Sequence, residues 1–133
     1  MLELGDLNYL AIIIAAIAKF IVGGAWFSNV LFSRVWLKET ALKPEDMGNP
    51  RNAMMIGFGL CFFVSFSFAI VLSLLQLDLK SSLAVAIIIA IGISSAQMGL
   101  SFAFENRSLK LFLIYAAQSV VEFATVVLIL KLM

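Results

Sequence analysis

Four long apolar runs, at residues 8–30, 54–76, 82–104 and 109–130, take up most of the 133-residue chain and restrict its fold more than any other feature. A hydrocarbon core about 30 Å thick is crossed by about 20 helical residues rising about 1.5 Å each, and every run reaches that length. The expected fold is all-α: an integral membrane bundle of four transmembrane helices in up-down-up-down order, making residues 1–133 a single transmembrane domain. The connections at 77–81 and 105–108 are so short that consecutive helices are expected side by side and antiparallel. The first connection, residues 31–53, is the long one.

Composition excludes the alternatives. With 63% of residues in the AVILMFWYC set and 13% charged, the chain lies far from soluble domains, which are about 45–50% apolar and about 25% charged. A net charge of +1 without a clustered basic face argues against nucleic acid as a partner. A single cysteine, Cys61, and no histidine leave no common zinc or iron–sulfur framework, so neither metal nor cofactor is expected. Cys61 lies in an apolar run and reads as a buried small hydrophobe. No serine has a placed base, so the chain is not expected to be an enzyme; Glu122 is the one acid or base available for lipid chemistry.

The first run contains Ala16-Ile17-Ala18, which resembles a signal-peptide cleavage site, but Glu3 and Asp6 precede it and no Lys or Arg occurs before position 19. A signal peptide needs a basic n-region, so the run is expected to remain as a span. Arg34, Lys38, Lys43, Arg51, Arg107 and Lys110 flank one side of the predicted bundle, against Lys80 and Lys131 on the other. The positive-inside rule then puts residues 31–53 in the cytoplasm and both termini on the extracytoplasmic side. The localisation expected is the cell membrane, multi-pass, and the inner membrane if the source is bacterial. Trp26, Phe27, Phe32 and Trp36 gather at one boundary and Tyr9 near the other, as interfacial anchors. Residues 32–40 mix apolar and charged side chains and predict an interfacial helix. Pro44 followed by Glu45 and Asp46 predicts the first turn of a second short helix, stopped by Gly48, Asn49 and Pro50.

Lys19 and Glu122 lie near the middle of the first and fourth spans. A central lysine costs about 2.5–3.5 kcal/mol to insert, so such residues face protein or water rather than lipid. Lys19 is about 16 Å from the start of its span and Glu122 about 12 Å from the end of its own, which brings the two within side-chain reach. An ion pair linking the first and fourth helices is expected. Tyr115, Gln118, Glu122 and Thr125 share an arc of the fourth helix, with Ser119 beside it, and Ser94, Gln97 and Ser101 share an arc of the third. Lys19 shares its face with Asn8, Ala15, Gly23 and Trp26. These stripes predict a common polar interior, which is either hydrogen-bonded glue between helices or a hydrated binding site.

Gly92, Ser95, Gly99 and Ala103 form a second face of the third helix, with small-residue spacing that permits close backbone approach. Its partner is either another helix of the chain or a second copy in a homo-oligomer. The second helix, with Phe58, Phe62, Phe63, Phe66 and Phe68, shows no polar stripe and is expected to be lipid-facing or oligomer-facing bulk.

Asn8-Tyr9, Gly23, Ala25-Trp26-Phe27-Ser28, Phe32 and Trp36, then Phe104-Glu105-Asn106-Arg107 and the run from Leu109 to Ile114, together resemble the bacterial domain-of-unknown-function 1761 family of small four-span membrane proteins. The resemblance implies the topology and carries no activity. Asn29 stands where the family usually has proline, and Lys19 where it usually has an apolar residue. If Lys19 is peculiar to this chain, a role shared by the family falls instead to Trp26, Trp36, Glu105 and Arg107. Those four leave the membrane on one side and could form one cytoplasmic-interface patch, either as plain anchors with charge bias or as a site for a lipid headgroup or partner. The function expected is a small transport or solute/ion-binding membrane protein acting as an oligomer. The alternative is an accessory subunit that binds other membrane proteins or lipids.

Overall fold

The computed structural model describes residues 3–43, 45 and 47–133. Among the described residues a 3-10 turn at Leu4–Asp6 is followed by five helices: α1 (Tyr9–Trp26), α2 (Ser33–Thr40), α3 (Pro50–Leu75), α4 (Leu79–Phe104) and α5 (Leu109–Leu132). All but α2 are long and apolar enough to cross a membrane. The start of every spanning helix is fixed by a short polar side chain. Asn8 accepts from the Ala11 amide, Asn49 from Arg51 ahead of Pro50 at the first turn, Asp78 from Ser81 and Ser108 from Leu111. Each cap satisfies one of the amides that a helix start leaves without an internal partner.

α1 is shorter than its apolar run. It ends at Trp26, about 27 Å from its start, and the Phe27 amide returns to the Gly23 carbonyl. The chain then turns, the Phe32 amide reaching the Trp26 carbonyl, and enters α2 where an interfacial helix is expected. The predicted turn at Pro44 cannot be placed, because Pro44 and Asp46 lie outside the described residues. Gln76 and Asn106 close the two tight connections at φ 49° and 54°. Asparagine visits the left-handed region at little cost, whereas Gln76 is held there as its amide caps the Leu72 carbonyl at 2.9 Å.

α5 is the central element, packing against α1, α3 and α4 and carrying α2 on its other end; α1 lies between α3 and α5. The expectation that consecutive spans lie side by side fails for α3 and α4. They leave the Gln76–Asp78 connection together but do not pack along their lengths, and α4 rests mainly on α5. Small residues explain the choice: Ala86, Ala90 and Ser95 are buried, and Gly99 lies against the Phe112 ring, so the α4 backbone approaches α5 closely. Near the chain termini all four spans contribute to one buried cluster of Ala15, Phe68, Leu72, Ala86, Val126 and Val127. There the Phe68 ring meets Phe123 edge-on at 5.1 Å.

α4 is not a uniform helix. Between α-helical Leu79–Ile88 and Ala96–Phe104 it widens into a π-helical stretch at Ile89–Ser95. Such widenings occur disproportionately at functional sites. α3 also departs from expectation. It is not simply outer bulk: Cys61, Ser65, Phe68, Ala69 and Leu72 recur at helical spacing on a buried face. The Ser65 hydroxyl donates to the Ile12 carbonyl at 2.7 Å, joining α3 to α1, while Phe58 and Phe63 point outward.

Candidate functional site

Lys19 is on α1 and Glu122 on α5, each at the middle of its span, and the packing of the two helices brings their side chains together. Lys19 Nζ lies 2.7 Å from Glu122 Oε2. The second carboxylate oxygen, Oε1, accepts from Gln118 Nε2 at 2.8 Å, one turn earlier on α5. On its other side Lys19 Nζ is 3.8 Å from Cys61 Sγ on α3, a weak thiol contact that brings a third helix to the site. The Lys19 and Glu122 side chains are 14% and 5% exposed. Gly23 completes the constellation. A Cβ there would lie 2.9 Å from Glu122 Oε1 and 3.7 Å from Gln118 Nε2, so the missing side chain is what lets the carboxylate lie against the α1 backbone.

The electrostatics follow from depth. Two opposite charges in hydrocarbon are each costly alone, and a short charge-assisted hydrogen bond between them offsets much of that cost. Gln118 supplies a neutral donor to the oxygen that Lys19 does not reach, so both carboxylate oxygens are satisfied without water. Chemically the site is a carboxylate held by one tethered ammonium and one amide. Among the described residues no cluster of metal-ligating side chains accompanies it.

The remaining polar residues of α5 do not join this site. Thr125 and Ser119 bond carbonyls of their own helix, at Val121 and Tyr115. Tyr115 belongs to a second constellation at the α2 end of the bundle: its hydroxyl accepts from Trp36 Nε1 at 2.9 Å, and its ring meets Phe27 and Phe102 at 5.7 and 5.8 Å. The Arg107 guanidinium lies 4.3 Å above the Phe102 ring, and Trp26 Nε1 donates to the Ile114 carbonyl at 3.0 Å. Trp26, Trp36 and Arg107 are therefore tied to one aromatic cluster through Tyr115, Phe102 and Ile114. Glu105 stands apart, exposed at the α4–α5 turn with no side-chain partner among the described residues.

The expected contribution of α4 to the polar interior is corrected. Gln97 and Ser101 are exposed and Ser94 is half-buried, so that stripe faces outward. Gln97 lies about 10 Å from the end of α4, roughly level with the tryptophans, where a lipid-facing amide can reach the interface. Ser95 and Gly99, from the face weighed for a second copy, are instead turned toward α5 within the chain, while Gly92 and Ala103 are exposed. The Ser95 hydroxyl is buried and has no partner among the described residues. Cys61, Ser65 and Phe102 are the participants that sequence reasoning missed. Their period on α3 and the spacing of Phe102 from Arg107 are the available signals, both submerged in apolar runs.

Fold and site together define a small multi-pass membrane protein: four apolar helices, with an ion pair held among three of them at mid-depth. The family described as "Protein of unknown function (DUF1761)" matches residues 10–131, which include nearly all of the four spans and both constellations, and the chain belongs to that family. No curated protein and no solved structure matches the chain.

Proposed function

We propose that the protein is a small transport or solute/ion-binding membrane protein, working as an oligomer, in which Glu122 is the binding group and Lys19 and Gln118 are its resting partners. The observation that carries this reading is the pair itself. Replacing a buried ion pair by well-packed apolar residues is often neutral or stabilising, so a pair at mid-depth is poorly explained by stability alone. Packing does not need it, because the apolar cluster around Ala15, Phe68 and Val126 already joins the spans. A cation or cationic solute that replaces Lys19 at Glu122, or a proton that neutralises the carboxylate, releases Lys19 and loosens the contact between α1 and α5. Oligomerisation fits a bundle too small to enclose a pore of its own. Positive-inside bias supports a cytoplasmic α2 end and extracytoplasmic termini in the cell membrane.

Proteoliposome flux assays with alkali cations, protons and small organic cations test the proposal. Flux, or a cation-dependent rise in thermal stability, is expected for the unaltered chain and is expected to be lost in Glu122→Gln and weakened in Gln118→Leu. Flux that survives both changes overturns the assignment. A second reading, an accessory subunit that binds other membrane proteins, is favoured by α4, which α5 supports on one side while Ile93, Gln97 and Leu100 face outward. Absence of any flux together with co-purification of a fixed partner selects it.

A further inference from the structure

We infer that the groove between α2 and α5 is a binding site for one anionic phospholipid, whose acyl chain lies against Phe32, Val35, Leu113, Ile114 and Ala117 and whose phosphate meets Lys110. This site is separate from the Lys19–Glu122 pair and does not depend on the function proposed for it. The groove has a volume of about 310 Å³ and an almost wholly apolar wall, to which Lys110, the one charged residue among the described residues that line it, contributes its hydrocarbon stem. Its walls are held in place before any ligand arrives. α2 is fastened to α5 by the Trp36–Tyr115 hydrogen bond, and the Phe32 ring is braced on Trp26 at 4.9 Å. A preformed apolar groove edged by the stem of a lysine suits a ligand with a hydrocarbon chain below a charged head.

Depth and charge select the occupant. The indole of Trp26 donates to the Ile114 carbonyl, and indoles mark the boundary between headgroups and hydrocarbon. Lys110 lies about 6 Å further out along α5, at the depth of phosphates, whereas Leu113, Ile114 and Ala117 descend from it into acyl-chain depth. Lys110 is exposed and makes no ion pair with any described residue, so its charge is available. Arg34 is exposed between Phe32 and Val35, which line the groove. Across residues 31–53 and 105–110, six basic residues face four acidic ones, which adds a local field favouring an anion over a zwitterion. An acyl chain below a lysine at phosphate depth is the arrangement that a phosphatidylglycerol-type lipid fills, and neither a free anion nor an uncharged lipid uses both halves of it.

The test uses the full chain in mild detergent doped with phosphatidylglycerol or phosphatidylcholine, counting retained lipid by native mass spectrometry. Phosphatidylglycerol is expected to be retained about fivefold better than phosphatidylcholine, the ratio that one interfacial lysine supplies. Lys110→Gln, a surface change, is expected to erase that preference. Ala117→Leu is expected to narrow the groove and lower retention of both lipids, while Lys80→Gln at the opposite end changes nothing. Equal retention of the two lipids by the unaltered chain overturns the proposal, as does a preference unmoved by Lys110→Gln. Glycerol phosphate that displaces the retained lipid at equal concentration also overturns it, by showing an anion site without a chain groove.

Discussion

Gly23 shows how much of the site depends on a single missing side chain. A methyl group there would enter the space of Glu122 Oε1, which accepts from Gln118 while Lys19 holds Oε2 of the same carboxylate, so the group cannot move away freely. Gly23→Ala is expected to lower stability by about 1–3 kcal/mol, as overpacking does. Gly24→Ala, where nothing lies within 4 Å, is expected to be neutral or to stabilise by up to about 1 kcal/mol through helix propensity. Thermal unfolding of the two variants in one detergent separates them, and equal behaviour would show that the carboxylate is not held against α1. At this scale the pair was readable from sequence because Lys19 and Glu122 are the only charges near mid-depth and their depths correspond. Cys61 was not, since a thiol within an apolar run carries no sign of the ammonium it will meet. Tyr115 was assigned to the wrong constellation because angle alone does not reveal that Trp36 returns to the bundle and donates to its hydroxyl.

Among the elements, helix starts were legible only in part: the runs beginning at residues 8 and 109 match α1 and α5, whereas Asn49 and Pro50, read as a stop, open α3, and Asp78, read as part of the connection 77–81, caps α4 ahead of the run at 82. Asp78 at the start of α4 has a measurable consequence. Hydrogen bonds from Ser81, first through its side chain and then its backbone, hold the Asp78 carboxyl below the ordinary carboxylate range. A carboxyl lowered in the folded chain contributes stability that is present above its unfolded pKa of about 3.9 and is lost as the pH falls through its lower folded value. Thermal unfolding followed downward from about pH 6 is expected to show a steeper acid loss in the unaltered chain than in Asp78→Asn, which keeps the cap but cannot titrate. Identical slopes would mean that the cap is not formed. The orientation of α4 was not legible, because its polar arc and its small-residue arc are both plausible inner faces. The fit of the Phe112 ring to Gly99 decides between them, and the π-helical stretch further shifts the helical phase along α4 with no proline or glycine pair to announce it.

For the whole molecule, apolar runs of bilayer length fixed the number of spans, and short connections fixed their alternation, before any contact was known. Which helix lies at the centre depends on side-chain shape: α1 and α4 approach α5 through Gly23 and Gly99, while α3 meets it through the edge-on contact of Phe68 with Phe123. The account rests on the claim that Lys19 and Glu122 are mutual partners across α1 and α5. A double-mutant cycle of Lys19→Met and Glu122→Leu, with unfolding free energies measured in bicelles, tests it most directly. Each single change leaves an unpaired charge at mid-depth and is expected to cost about 3 kcal/mol, whereas the double change removes both charges and is expected to cost less than either. Additive losses would contradict the pairing and with it the site built upon it.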